Sequence, residues 1–266
     1  MATRRPVLAL LALPALLLAG CDDAMLPPPV DRAAIAAATR DIAAAPMPRP
    51  TLRSPEQDAA MLSRVAARTI RAAQPFCQAE LGSGCDFQVG IMPAATPNAF
   101  AHDANGVTVT TGLLRLVSND DELAGVVAHE IAHHVAGHLA EGTRRAQVAA
   151  TIGAAVGRAA QDVVGIDLGL ARLGAETGAK AASLTFSKAQ EREADYLGAF
   201  IAARAGYDLE RAGGLWAKMT KLSGDQTTSW FDTHPAGPER LAAWRRAAEE
   251  IARDPRAMPR RGGWFA

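Results

Sequence analysis

The sequence predicts an α+β fold that is mainly helical, with a small sheet beside one long histidine-bearing helix. Apolar residues recur with a helical period in several segments, and two short runs, residues 87–92 and 107–111, have the composition of strands. Ala104-Asn105-Gly106 supplies turn residues between those two runs. Aromatic residues make up only 5% of the chain while alanine and glycine are abundant, which favours close helix packing over a large β-sandwich. The predicted helices cover residues 33–45, 55–73, 118–140, 186–205, 209–222 and 238–253.

The size and charge of the chain narrow the class of protein. Its 266 residues suit one globular domain of moderate size with additional segments. The 28 basic and 28 acidic side chains give a formal net charge of zero, and no long basic run is present. A nucleic acid is therefore not expected as a partner.

The N-terminal residues have the pattern of an export signal. Arg4 and Arg5 precede a short apolar run, residues 7–18, which is too short to span a bilayer. The run ends in Leu18-Ala19-Gly20-Cys21, which resembles the lipobox of bacterial lipoproteins, in which the cysteine is lipidated. We predict a signal peptide at residues 1–20 and a lipid anchor on Cys21. The alternative is an ordinary secretory signal followed by an incidental cysteine.

The remaining domain boundaries follow from composition. Residues 21–50 contain six prolines and much alanine, which is typical of a tether, here with a short helix near its end. We predict a catalytic domain at residues 51–255 and a C-terminal tail at residues 256–266.

Two further cysteines, Cys77 and Cys85, are predicted to form a disulfide. An exported protein folds in an oxidising compartment, and the two glycines between these cysteines allow a tight loop. Two buried thiols are the alternative.

The helix predicted from residue 118 or 119 carries the sequence VVAHEIAHHVAGH at residues 126–138. His129-Glu130-Ile131-Ala132-His133 fits the H-E-x-x-H pattern of zinc peptidases. On a helix the two histidines are offset by only about 40°, so both imidazoles reach one ion, and Glu130 reaches a water beside it. We predict His129 and His133 as metal ligands and Glu130 as the general base; two hydrogen-bonded core histidines are the alternative.

His134 and His138 are not expected to bind the metal. One zinc-peptidase pattern places a glycine three residues after the second histidine and a third histidine after that. Here that position is Ala136, and Gly137 comes one residue late. In a continuous helix His138 would lie about 180° from His129. We expect both histidines to face solvent or to hydrogen-bond a neighbouring element.

The third ligand is predicted downstream, in Glu191-Arg192-Glu193-Ala194-Asp195. Glu191 and Asp195 share a helix face, while Glu193 points about 200° from Glu191. Catalytic zinc takes three protein ligands, and a ligand histidine usually donates its other N–H to a carboxylate. We assign Glu191 as the ligand and Asp195 as the acceptor beside it. Glu193 is expected on the solvated face and is the reserve ligand.

Residues 142–178 are rich in glycine and alanine. The segment has no proline and no aromatic residue, and charged residues interrupt it, so it is not a transmembrane span. It is expected to be helical, either as a mobile flap or as ordinary small-residue helix packing.

HEIAH, then EREAD about sixty residues later, then THPAGPERL resemble the zinc metallopeptidases related to HtpX and the CAAX prenyl endopeptidase. This gluzincin family implies a zincin-type domain with one zinc ion. The resemblance further implies that Asn98-Ala99-Phe100 is the strand entering the cleft. It also implies that His234 and Arg240 act at the site. Those two relatives span the membrane several times, so the chain is most similar to the small periplasmic lipoprotein (LoiP- and BepA-like) branch.

The expected function is a zinc-dependent endopeptidase of the bacterial cell envelope, anchored in either membrane. Peptides that pair with an exposed edge strand at residues 98–100 must be unfolded, which favours unfolded or misassembled envelope proteins as substrates, with envelope assembly machinery as a further partner. His234 and Arg240 are candidates to stabilise the oxyanion. Alternatively, His234 occupies the open position of the zinc and holds the enzyme off. The competing function is a chaperone or binding module with a latent site.

Overall fold

The computed structural model describes residues 24–164, 169–183, 186–223, 234 and 237–262. The predicted fold class, mainly helical α+β with a small sheet beside the histidine-bearing helix, is confirmed. The helices are α1 Arg32–Ala44, α2 Pro55–Leu81, α3 Thr111–Leu116, α4 Asp120–Val135, α5 His138–Val164, α6 Leu170–Ser183, α7 Lys188–Arg204, α8 Leu209–Ser223 and α9 Pro238–Arg253. The strands are β1 Gln88–Met92, β2 Ala99–His102 and β3 Gly106–Thr110. The predicted signal peptide, Cys21 and most of the loop between α8 and α9 lie outside the described residues.

The three strands form one sheet in the order β1-β3-β2. β3 pairs with β2 antiparallel and with β1 parallel. The predicted turn is present, with Ala104 and Asn105 at positive φ, but it joins β2 to β3 and not the first predicted strand to the last. β1 and β3 run parallel because residues 93–105, which contain β2, carry the chain back to the end of the sheet at which β1 begins. β2 therefore lies at an edge of the sheet, beside α4.

α4 forms the centre of the molecule, since every residue from Glu122 to Val135 is buried. Its start is fixed by the side chain of Asn119, which accepts a hydrogen bond from the backbone N–H of Glu122, and three acidic residues occupy its first turn. The helix ends at Val135, earlier than the predicted end near residue 140. Gly137 adopts a φ of 70°, a left-handed conformation that stops the helix, and α5 begins with the next residue.

α2 is longer than predicted, because it continues through Pro75 to Leu81. A proline inside a helix removes one backbone hydrogen bond, but buried Phe76 and Cys77 anchor the following turn to the core. Cys77 is joined to Cys85 by a disulfide, in agreement with the prediction. The bridge connects the end of this helix to the segment that leads into β1.

The predicted helix before residue 50 is present as α1, but it packs as part of the domain. Ala38 and Ile42 of α1 are buried, and the helix contacts α8 and α9. Met25 is also buried and pairs with Arg261, from the predicted C-terminal tail, in an isolated antiparallel bridge. These residues are therefore neither a free tether nor a free tail.

α5 and α6 pack against each other along most of their length. Their backbones meet at glycines: a Cβ atom at Gly153 would lie 2.0 Å from the carbonyl oxygen of Gly174. This is the small-residue packing that was one of the two predictions for residues 142–178. Along the outer face of α5, the apolar side chains of Val148, Ile152 and Val156 are exposed. Among the described residues, no helix has the length and hydropathy needed to cross a membrane.

Candidate metal centre

Two histidines of α4 point toward each other in the interior. His129 and His133 are fully buried and one helical turn apart, and their Nε2 atoms are separated by 3.1 Å. The predicted convergence of these two imidazoles is therefore present in the structure.

α7 brings a carboxylate to the same point. This helix starts with a capping box formed by Ser187 and Gln190, which fixes the phase of the turn that follows. Glu191 is buried, and its Oε1 and Oε2 lie 3.4 Å from His133 Nε2 and 3.5 Å from His129 Nε2. The predicted third ligand thus faces both histidines.

A third imidazole completes the cluster. His234 is fully buried, and its Nδ1 lies 3.3 Å from His129 Nε2 and 2.8 Å from Glu191 Oε1. One ligand atom from each of His129, His133, Glu191 and His234 lies within 4.8 Å of all the others. Four ligand atoms in a tetrahedron around zinc are about 3.3 Å apart, given metal–ligand distances of about 2.0–2.1 Å. The geometry and the donor set therefore fit zinc.

Asp195 holds the far side of His129. Its Oδ1 lies 3.0 Å from His129 Nδ1 and also accepts a hydrogen bond of 3.1 Å from the indole of Trp216. Arg240 binds both carboxylates: its Nε and Nη2 donate to Asp195, and its Nη1 lies 2.7 Å from Glu191 Oε2. The predicted role of Arg240 as an oxyanion donor is not supported by this arrangement, because the guanidinium is engaged by carboxylates.

The charges around the site set the protonation states. Burial alone would lower the pKa of His129, but the carboxylates of Asp195 and Glu191 raise it to about 9. Burial lowers the pKa of His133 well below its usual value. For Glu191, burial would raise the pKa, but the attraction of Arg240 holds it well below its usual range. The carboxylate is therefore ionised and His133 is neutral, as metal ligation requires, and a cation would replace the proton on His129.

Glu130 lies between the cluster and the edge strand. Its Oε2 accepts a hydrogen bond of 2.9 Å from the backbone N–H of Ala101 in β2, which orients the carboxylate. Its Oε1 is buried and has no hydrogen-bond partner among the described residues. His234 Nε2 is 3.7 Å from this oxygen. The geometry thus holds one oxygen of Glu130 in place and directs the other toward the cluster.

The strand predicted to contact substrate is less exposed than expected. Asn98 and Phe100 are half-buried and Ala99 is fully buried, so the prediction of an exposed edge at residues 98–100 is wrong for its central residue. The sequence pattern could not show that α4 covers this part of the edge.

The structure adds a second carboxylate contact that the sequence did not predict. His138 Nδ1 lies 2.9 Å from His133 Nδ1, and His138 Nε2 lies 3.1 Å from Glu193 Oε2. Glu193 was expected on a solvated surface, which is wrong. His134 binds the carbonyl oxygen of Gly106, so for both extra histidines the predicted hydrogen bond to a neighbouring element is present.

Phe186 was also missed by the sequence analysis. Its ring stacks on His133, with ring centroids 3.9 Å apart, and it lies 5.4 Å from the ring of His234. A single aromatic residue at the start of a predicted helix carries no recognisable signal of such a contact.

Comparison with known proteins places the chain in a family. The sequence profile of Peptidase family M48 matches residues 57–248, which include all four residues of the cluster. The chain is 34% identical over 157 residues to the mitochondrial metalloendopeptidase OMA1 of Arabidopsis thaliana, covering 59% of this chain and 30% of the relative. It is 30% identical over 167 residues to the protein of that name in Schizosaccharomyces pombe, covering 60% and 46%. A protease HtpX homolog of Thermococcus sibiricus is 53% identical over 47 residues, 16% of each chain. The chain thus spans less than half the length of these two OMA1 relatives.

Removal of the Glu191 carboxylate should abolish metal binding. We expect the Glu191→Ala variant to retain no stoichiometric zinc after dialysis, because only neutral imidazoles remain as ligands and the guanidinium of Arg240 then faces the ion without this carboxylate. Asp195→Asn should instead weaken zinc binding by about 10- to 100-fold, since it only orients a ligand. Metal analysis and chelator competition measure both. Wild-type affinity in Glu191→Ala would rule out this residue as a ligand.

Proposed function

The chain belongs to peptidase family M48, and we propose that it is a zinc-dependent endopeptidase of unfolded or misassembled proteins in the bacterial cell envelope. Membership in a peptidase family, and the similarity to relatives named as metalloendopeptidases, support the proposed enzyme class, a zinc metalloendopeptidase. The observation that carries the proposal is the buried cluster of three imidazoles and one carboxylate beside a correctly placed glutamate.

In the proposed site one zinc ion is held by His129, His133 and Glu191. Zinc supplies Lewis acidity at the scissile carbonyl and lowers the pKa of a water molecule to about 7. Asp195 accepts a hydrogen bond from the Nδ1–H of His129 and thereby keeps the Nε2 lone pair directed at the metal. Arg240 in turn fixes both carboxylates of α7.

Glu130 is the proposed general base and acid. Ala101 holds Oε2, so Oε1 is the oxygen that takes the proton from the attacking water. The same oxygen then delivers that proton to the leaving amine nitrogen. The strand that would bind the substrate, β2, therefore also holds the carboxylate that transfers the proton.

The edge strand also accounts for the proposed substrate class. The N–H of Ala101 points away from β3, toward α4, and Ala99, two residues earlier, has the same orientation. Ala99 is buried and the N–H of Ala101 is bonded to Glu130, so a peptide can pair along this edge only once these groups become accessible, and it must then be extended with free backbone groups of its own. Folded proteins have already paired theirs, so unfolded or unassembled chains are favoured.

His234 is proposed to keep the enzyme closed. Its Nδ1 faces the other three ligands while its Nε2 faces Glu130 Oε1, so the imidazole lies between the metal position and the base. A fourth protein ligand turns an open catalytic site into a closed one. Before the enzyme can act, the side chain of His234 must therefore move away from the metal position. The same closed arrangement is what a latent-site chaperone or binding module, the competing proposal, would have.

Localisation and the finer place in the family rest on the N-terminal sequence. The signal-like residues 1–20 and Cys21 support a lipid anchor with the domain in the periplasm, in the small lipoprotein branch of the family. Proteins of the envelope, including its assembly machinery, are then the accessible partners.

Glu130→Gln should retain zinc and lose proteolysis. The ligands remain but the proton acceptor is absent, so turnover of unfolded casein should fall by about 100- to 10,000-fold. Glu176→Gln, an exposed glutamate of α6, is the matched control and should cleave casein at the wild-type rate. Chelator-insensitive turnover in the wild type, or near-normal turnover in Glu130→Gln, would contradict the proposed enzyme. A wild type that binds zinc but cleaves nothing would favour the latent-site module.

His234→Ala should raise the activity of the enzyme toward casein by several-fold at matched zinc content, because the fourth ligand is removed. If His234 instead stabilised the oxyanion, the same variant would lose about 100-fold in turnover. Steady-state assays of both proteins distinguish the two, and a change smaller than twofold would eliminate both roles.

Cys21→Ala should release the protein from membranes. Lipidation and anchoring both require this thiol, so fractionation should move the variant to the soluble or unprocessed pool. Unchanged membrane association with normal processing would refute the lipid anchor.

A further inference from the structure

The two histidines of the zinc site are supported in different ways. The Nδ1 of His129 faces the carboxylate of Asp195 directly. The Nδ1 of His133 faces another imidazole, that of His138, at 2.9 Å. His138 then contacts the carboxylate of Glu193 through its Nε2 at 3.1 Å. Both ligand histidines are therefore connected to a carboxylate of α7, one of them through an intervening ring.

The tautomers along this chain of contacts are determined once the metal is assigned. His133 directs its Nε2 toward the cluster, so its Nδ1 must carry the proton. His138 Nδ1 must then accept that hydrogen bond, and its own proton must be on Nε2. A carboxylate oxygen, which only accepts, is the group that matches this proton, and Glu193 Oε2 occupies the position.

We infer that His138 and Glu193 are positioning residues, which hold the ring of His133 in the orientation and tautomer that bind zinc. His138 is buried, so its ring nitrogens are shielded from water that could replace these contacts. Glu193 is itself held by the backbone N–H of Met25, which donates to Oε1 at 2.7 Å. The folded N-terminal segment thus fixes Glu193, the last residue in this series of contacts.

This inference rests on the proposed zinc site, and zinc affinity tests it. His138→Leu removes both ring nitrogens and should weaken zinc binding by about 10- to 100-fold in chelator competition. His138→Gln keeps one acceptor and one donor on a side chain of similar reach and should restore affinity to within about threefold of wild type. The matched control is His134→Leu, because His134 is also buried at the end of α4 but binds a backbone carbonyl. The control should bind zinc like wild type.

Glu193→Gln provides a second test. A glutamine offers one acceptor and one donor to two N–H groups, those of Met25 and His138, so one contact is lost and zinc affinity should fall in the same direction as in His138→Leu. Both residues act through the same series of hydrogen bonds to His133. The double variant should therefore bind zinc no more weakly than His138→Leu alone. Independent structural damage would instead give additive losses.

The visible spectrum of the cobalt-substituted protein adds a readout of geometry. A His133 ring that rotates should change the ligand-field bands in His138→Leu and leave them unchanged in His134→Leu. Equal zinc affinity in His138→Leu and wild type, equal losses in His138→Leu and His134→Leu, or additive losses in the double variant would overturn the inference. A wild type that binds no zinc would instead reject the proposed site itself.

Discussion

The close crossing of α4 and α7 at Gly198 is the constraint on which the site depends. A Cβ atom at this position would lie 3.1 Å from the backbone N and Cα of His129, so a larger residue would push the two helices apart. Gly198 follows Asp195 by three residues and Glu191 by seven, which places all three on the face of α7 that meets the histidines. Contacts of 3.0 to 3.5 Å between the two helices would be lost after a separation on the order of 1 Å. The glycine is therefore part of the metal site although it has no side chain.

Charge balance explains why the interior tolerates so many ionisable groups. Three acidic residues, Glu130, Glu191 and Asp195, are buried together with Arg240, the one buried cation of this set among the residues that the structure describes. With neutral imidazoles the set carries a net charge of −2, and an isolated buried charge is unfavourable in a medium of low dielectric constant. A divalent cation makes the set neutral. Because the donors include imidazoles, zinc is favoured over magnesium or calcium, which select oxygen ligands.

The helix faces on which the three predicted ligands lie could be predicted from sequence, because each face is determined within a single helix. His129 and His133 are separated by one helical turn, and Glu191 follows its cap by four residues, so helical periodicity alone gives the faces on which they lie. His138 could not be placed in this way. Its orientation depends on the break at Gly137, and the contact with Glu193 depends on the approach of another helix and of the N-terminal segment. Tertiary packing of this kind also explains the parallel pairing of β1 and β3, which alternation of residues does not encode.

The closed cluster and the edge strand together suggest how the proposed enzyme would select its substrates. If the form with His234 at the metal is favoured by 100 to 1, opening costs about 2.7 kcal/mol. Once Ala99 and Ala101 of β2 are accessible, an extended peptide that pairs with this strand gains about 1 kcal/mol from each backbone hydrogen bond, so a few such bonds offset this cost. A folded protein, whose backbone groups are already paired, offers none of this energy and leaves His234 in place. Discrimination would then come from the same backbone groups that position the scissile bond next to Glu130, without any requirement for a particular side chain.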